Sequence, residues 1–170
     1  MNKNYDLQLT AHIICGHFET DITFDPYNDC TDIDQLKDFA ISSIEDTYEF
    51  IESGESIENI EVEITYFGNV PEEYANSKNI WEFAEAFAEN DVDVEVIEAG
   101  LYCGVSPSDI EEAYQGEYKS DEDFAQEMAD QLGAIDKNAS WPMNCIDWEF
   151  AARELMYDYS SHMGHYFRNL

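Results

Sequence analysis

Asp136, Asn138, Ser140, Asn144 and Asp147 fall at positions 1, 3, 5, 9 and 12 of a loop pattern that wraps oxygen ligands around calcium. The sixth position of that pattern needs glycine for its sharp turn, and here it holds Trp141; Asp147 replaces the bidentate glutamate. His12 and His17 flank Cys15, and His162 and His165 stand three apart. A zinc site would need two such fragments to meet, and no CxxC or HExxH anchors one. Nucleophilic and nucleotide chemistry have no better footing. GxSxG, P-loop and GxGxxG are all absent, and a Cys–His dyad has no local signature. A glycosidase-type carboxylate pair cannot be singled out when 39 residues are Asp or Glu. The expectation is a protein that is not an enzyme and has no cofactor and no metal. A small acidic metal-binding module or enzyme stands as the alternative.

What the chain has in abundance is acid. Its 170 residues carry 39 Asp and Glu against 7 Lys and Arg, a formal net charge of −32. Residues 1–59, 60–100 and 101–170 hold −12, −10 and −10, so the acid is not gathered in a tail. Hydrophobic residues make up 44% and aromatics 14%, too much apolar matter for a disordered acidic segment. Such a charge excludes direct binding to nucleic acid or to anionic membranes and favours partners with basic surfaces. No apolar run reaches membrane-spanning length, and the N-terminus lacks a signal peptide's apolar core. Cys15, Cys30, Cys103 and Cys145 form no CxxC pair and read as free thiols of a cytoplasmic protein.

The elements that carry these acids can be read in order. Tyr5, Leu7, Leu9, Ala11 and Ile13 alternate as a half-buried strand over 5–13; Cys15-Gly16-His17 is a turn. Phe18, Ile22 and Phe24 then alternate with Glu19, Asp21 and Asp25, the second strand of a hairpin. A long helix follows, capped near Asp32, with Ile33, Leu36, Ala40, Ile44, Tyr48 and Ile51 inward and Gly54 at its end. Ile60 to Tyr66 is a strand with Glu61 and Glu63 outward. Asn69 to Asn76 marks a boundary. Ile80, Phe83, Ala84, Phe87 and Ala88 define the next helix, backed by Glu82, Glu85 and Glu89. Residues 91–102 fit strand or helix, and helix is preferred. Ser106-Pro107 opens a short helix through Tyr114.

Ser120 and Asp123 then fit a capping box, Phe124, Ala125, Met128, Ala129 and Leu132 form a stripe, and Gly133 is the stop. A loop containing Trp141-Pro142 leads to a last helix from Asp147 to about Tyr159, with Trp148, Ala151, Ala152 and Leu155 inward and a Glu149–Arg153 ion pair. The tail 162–170 reads as a final strand. The whole is α+β: an N-terminal sheet unit over 1–68, a middle helical domain over 69–114 and a C-terminal helical domain over 115–170.

On these helices acid stands at the spacing where a stable sequence places lysine. Asp123, Glu127 and Asp130 recur at i, i+4 and i+7, and like charges so placed cost a helix roughly 0.2–0.5 kcal/mol each. Solubility needs a net charge of only about 2–8 in magnitude. Adaptation to high salt is one alternative explanation. The functional reading is imitation of DNA. Duplex DNA carries a charge every ~1.7 Å, so 32 charges match about 54 Å of duplex, longer than the ~40 Å diameter of a compact globule this size. An elongated body fits that charge better, with carboxylates four apart on a helix lying about 6 Å from each other along its axis. The candidate phosphate-mimicking groups are Glu82, Glu85, Glu89, Glu111, Glu112, Glu117, Asp121, Glu122, Asp123, Glu127, Asp130, Asp147, Glu149, Glu154 and Asp158.

Two segments add a resemblance. Tyr114-Gln-Gly-Glu-Tyr-Lys-Ser-Asp-Glu-Asp-Phe-Ala-Gln-Glu-Met-Ala and Ile146-Asp-Trp-Glu-Phe-Ala-Ala-Arg-Glu-Leu resemble the C-terminal half of the ArdA antirestriction family. Tyr66-Phe-Gly through Trp81-Glu-Phe-Ala-Glu-Ala-Phe resembles that family's second domain more loosely. The resemblance implies an elongated, curved, three-domain DNA mimic carried by plasmids, transposons or phages in a bacterial cytoplasm. It implies a homodimer that fills the DNA-binding groove of type I restriction–modification enzymes, blocking cleavage and methylation. The first 60 residues do not match, which leaves another DNA-binding defence complex, such as a CRISPR effector, or a nucleoid protein as alternative targets.

Overall fold

A computed structural model describes residues 7–68, 70–136, 138, 140, 141 and 144–170; Tyr5, Asn69 and Pro142, named above, lie outside them. The chain divides into two compact units, 1–91 and 92–170, and each is mixed α+β. The boundary expected at 68/69 falls inside the first unit.

In the first unit, β1 (Leu9–Cys15) is the central strand of an antiparallel sheet ordered β2-β1-β3, with β2 Phe18–Phe24 and β3 Glu61–Tyr66. Alternation decides the register. Leu9, Ala11, Ile13 and Cys15 share one face and are fully buried, because a period of two sends every second side chain to the same side. Against that face pack Ala40 and Ile44 of α1 (Ile33–Ile44) and Phe50 of α2 (Tyr48–Ser53). Phe18 meets Phe50 edge-on at 5.2 Å between ring centres.

The single helix expected over 33–51 is therefore two. Asp32 caps the first, accepting from the Gln35 amide at 2.8 Å. At residues 45–47 the chain leaves the helix. Thr47 Oγ1 donates to the Ile44 carbonyl at 2.7 Å and accepts from the Phe50 amide at 3.3 Å, so one hydroxyl closes one helix and opens the next. The break shifts the helical phase. Phe50 turns inward, while Tyr48 and Ile51, expected in the core, are 71% and 64% exposed. Gly54 ends α2 at φ 70°, a left-handed conformation that a Cβ would strain.

The turn-rich segment after β3 is anchored in this unit: Val70 and Tyr74 are buried, and the Tyr74 ring lies 5.5 Å from Phe83. Phe83 belongs to α3 (Ile80–Glu89), which buries Ile80, Phe83, Ala84 and Ala86. Ala86 takes the place assigned to Ala88, which is exposed. Trp81 of the same helix reaches Phe24 of β2.

In the second unit, the ambiguous stretch 91–102 resolves as α4 (Val94–Tyr102), which buries Val96, Ile97, Ala99, Gly100 and Leu101. Pro107 opens a 3₁₀ turn that runs into α5 (Ile110–Ala113). Tyr114 then starts a strand. β4 (Tyr114–Glu117), β5 (Tyr159–His162) and β6 (His165–Arg168) form an antiparallel sheet ordered β4-β6-β5, so a domain expected to be helical has a sheet at its centre.

Two helices connect β4 to β5. α6 (Asp121–Gln131) is capped by Ser120, whose Oγ accepts from the Asp123 amide at 3.2 Å, and Gly133 follows it at φ 66°. Of its expected stripe only Phe124 and Ala125 are buried; Met128 and Ala129 are half-buried and Leu132 is 76% exposed. α7 (Trp148–Leu155) is capped by Asp147, which accepts from the Phe150 amide at 3.0 Å, and it ends four residues before the expected Tyr159. The core is aromatic, with Phe124 packed against Tyr118, Tyr159 and Tyr166 at 4.6–5.0 Å between ring centres.

Phe124 is fully buried at the centre of that cluster, so Phe124→Ala is expected to destabilise the second unit by about 3–5 kcal/mol. Asp32→Ala, which removes one cap in the first unit, is expected to cost about 1 kcal/mol. Chemical denaturation followed by near- and far-ultraviolet circular dichroism measures both.

Candidate functional surface

Position on each helix decides where the carboxylates go. Among the described residues every α-helix carries an acid in its first turn, where the positive end of the peptide dipole favours it, and only α7 has a base, Arg153, in its last. The apolar stripes turn inward and the acids between them are left outside. Among the described residues Asn90 is the sole buried polar or charged side chain, so none of their carboxylates lies in the core.

The candidate residues follow that rule. Glu82, Glu85 and Glu89 are exposed along α3, and Glu89 accepts the Tyr27 hydroxyl at 3.4 Å. In the second unit Glu111, Glu112, Glu117, Asp121, Asp123, Glu127, Asp130, Asp147, Glu149, Glu154 and Asp158 are exposed, and Glu122 is half-buried. They are not equivalent. Glu112 lies 3.5 Å from Arg168 and is partly compensated, and Asp147 uses one oxygen as a helix cap. Asp121 accepts the Tyr166 hydroxyl at 2.6 Å, and Glu127 accepts from Gln131. The Glu122 carboxyl is held below its usual range by its own backbone amide and by the Ser120 hydroxyl.

Two places bring candidates together within the second unit. Asp121, Glu122 and Glu149 share a groove with Arg153, Met156 and Tyr157. Glu117 lies in a cleft with Asp93, Glu95, Tyr114 and His165, where the Tyr114 hydroxyl and His165 Nδ1 are 3.0 Å apart. Glu149 and Arg153 do not form the expected ion pair; the Arg153 guanidinium lies over the Phe150 ring instead, 5.4 Å from its centre.

The outer face of the first sheet, acidic strand by strand in the sequence but not among the candidate groups, is a further acidic surface. Glu19 and Asp21 on β2 and Glu61 and Glu63 on β3 form two exposed acidic rows, one on each side of β1. His12 of β1 is opposite Asp21 on one side and Glu63 on the other, with its Nδ1 2.7 Å from Asp21. The signal was in the alternation of both edge strands, but strand order decides that the two rows flank β1 on the same face of the sheet.

Among the described residues no three His, Cys, Asp or Glu side chains are grouped to hold a metal ion. Asp136, first residue of the calcium-like loop, accepts from the Asn138 amide at 2.9 Å. Cys15, Cys30, Cys103 and Cys145 are free thiols; burial raises Cys15, Cys103 and Cys30, and the last reaches about 12 with help from Asp29, Asp32 and Asp25. No helix among the described residues is long and apolar enough to cross a membrane. Comparison with protein-family models, with curated proteins and with solved structures gives no match.

The tyrosines beneath the acidic surface set an alkaline limit. Burial first, and then the hydrogen bond to Asp121, raise the Tyr166 phenol well above its ordinary value; burial and neighbouring acids raise Tyr114 and Tyr118 in the same direction. A group raised on folding contributes stability that is complete below its unfolded value and is lost as pH rises above it. Stability is therefore expected to fall above about pH 10. Tyr166→Phe should lower stability at pH 7 by about 1.5 kcal/mol and flatten the alkaline loss, as urea unfolding at pH 7, 9 and 11 would record.

Proposed function

We propose that this protein is a DNA mimic that inhibits a DNA-binding defence enzyme, a type I restriction–modification enzyme being the leading target. The observation that carries the reading is the exclusion of carboxylates from the core. Acid is held outward on both units, at helical steps of about 6 Å on α3 and α6 and at strand steps of about 6.7 Å on β2 and β3. With 7 bases for 39 acids, few of these charges have an internal partner.

A DNA-binding cleft lined with Lys and Arg recognises phosphates mainly as charge at fixed spacing, and a rigid array of carboxylates offers it the same field. Occupying the cleft needs no chemistry on the protein's part, so the function is inhibition by competition. The likeness of segments 114–129 and 146–155 to the ArdA antirestriction family supplies the target class. It also supplies the proposals that the active form is a homodimer in a bacterial host and that methylation is blocked with cleavage.

The test is a type I enzyme challenged with its DNA. The protein is expected to displace DNA and slow cleavage, more strongly at 50 mM than at 200 mM salt, because association releases counterions. Cleavage and DNA occupancy unaffected at low salt would refute the target. Because the charges share the work, Asp123→Asn alone is expected to weaken inhibition by less than about fivefold. Neutralising Asp123, Glu127, Glu154 and Asp158 together should weaken it by at least about tenfold and reduce its salt dependence.

A further inference from the structure

Among the described residues four strands stand at sheet edges: β2 and β3 in the first sheet, β4 and β5 in the second. An open edge offers unpaired amides and carbonyls to any other strand, and charged side chains are the usual guard against that. β2 carries Glu19 and Asp21, β3 carries Glu61 and Glu63, and β4 carries Glu117. β5, Tyr159-Ser160-Ser161-His162, carries none, and residues 159–170 contain no Asp or Glu.

Hairpin geometry decides which backbone groups of β5 are open. Met163 and Gly164 make its two-residue turn to β6 with φ 51° and 86°, both positive as a type I′ turn requires. Such a turn makes His162 and His165 a hydrogen-bonded pair, and bonded pairs then alternate along the strands. Ser160 with Phe167 is the next, and the Asn169 amide donates to the Asp158 carbonyl at 2.9 Å in the same phase. Tyr159 and Ser161 therefore aim their amides and carbonyls away from β6. Helices cover the faces of the sheet and leave this edge: Tyr102 of α4 stacks on His162 at 3.6 Å between ring centres, and Phe124 of α6 packs on Tyr159 on the opposite face. Tyr157 and Met163, at the two ends of the edge, are 74% and 64% exposed. Met163 is the one non-glycine residue at positive φ among the described residues, where the turn favours Asn.

We infer that β5 is the edge on which a second copy of this chain pairs, antiparallel, across a two-fold axis at Ser160. Tyr159 of one copy then faces Ser161 of the other, and amide–carbonyl hydrogen bonds join the two three-stranded sheets into a single sheet. The same two-fold brings Tyr157 of each copy towards Met163 of the other, a ring and a thioether that attract, and sets Asp158 opposite His162.

Charge selects a second copy over a basic partner. A basic segment gains most beside the acidic edges, and β5 offers it no carboxylate. Two copies at −32 each repel, and repel least where acid is absent. The pairing gives the homodimer of the proposed function its interface, and to that extent rests on that reading.

Analytical ultracentrifugation of the full-length protein, from about 1 to 200 µM in 50 and 500 mM salt, reads the association. A short edge buries less than a standard interface, so a dissociation constant of about 10 µM is expected at 500 mM salt. At 50 mM it should be at least about threefold weaker, because repulsion between the copies is less screened. Ser161→Pro removes an amide that β6 does not use. It is expected to weaken the dimer at least about tenfold, since the two-fold loses that bond twice. Met163→Asn keeps the turn and removes the thioether; it is expected to weaken the dimer about threefold or more, with thermal stability in dilute solution undiminished. Circular dichroism checks the fold of both.

A protein that stays monomeric at 200 µM in 500 mM salt would overturn the pairing, as would a dimer that either folded variant leaves intact. The restriction assay reads the other question. A dimer weakened by the variants but without inhibition would strike the mimic reading alone, and inhibition by a monomer would strike the pairing alone.

Discussion

Repulsion among like charges is the constraint under which this fold exists. A net charge of −32 on 170 residues works against any compact state, and surface ion pairs can relieve little of it with 7 bases. The sequence answers with placement. Each helix has acid at its first turn, where the dipole stabilises a negative group by roughly 0.3–1 kcal/mol, and Asp32 and Asp147 satisfy backbone amides there as caps. Charges that add to the net total thus also close helix ends.

The cores carry the rest. In the first unit a fully buried strand face meets two short helices, and in the second a cluster of Phe124, Tyr118, Tyr159 and Tyr166 fills the space between a small sheet and α6. Aromatic side chains suit this purpose because each buries a large area. Tyrosine also reaches outward: the hydroxyl of buried Tyr166 donates to Asp121, so core and acidic surface are joined there and that carboxylate gains a fixed position, while at the surface the exposed Tyr27 donates to Glu89. The proposed role as a phosphate mimic would draw on that stiffness, since a mobile carboxylate loses entropy when a basic cleft orders it.

Local signals made much of this legible. The hairpin, the Asp32 and Ser120 caps and the Gly54 and Gly133 stops follow from residue types that fix backbone geometry by themselves. Errors arose where two local rules competed. Helical periodicity ran through Thr47, but its hydroxyl offered the backbone an alternative partner, and the phase shifted enough to expose Tyr48 and Ile51 and bury Phe50. Tyr114 fits the end of the short helix opened at Pro107, and a strand of four residues has almost no pattern of its own; β6, about fifty residues later, makes Tyr114–Glu117 a strand. Glu149 and Arg153 had the spacing of an ion pair, yet the guanidinium took the neighbouring ring. The acidic faces were readable residue by residue, while the groove and the paired rows on the first sheet depend on which elements become neighbours.

Because the carboxylates stand outside the core, their identities are loosely constrained. Apart from the caps Asp32 and Asp147 and the Asp121 partner of Tyr166, Asp and Glu can exchange, shift by a residue or move to an adjacent turn without opening a cavity or stranding a buried group. Selection acting through the field would then hold the number and spread of charges while letting individual positions wander. Descendants of such a chain would keep Phe124, Tyr166, Ile13 and Phe50 far longer than any one acid, and kinship among them would be written in their interiors.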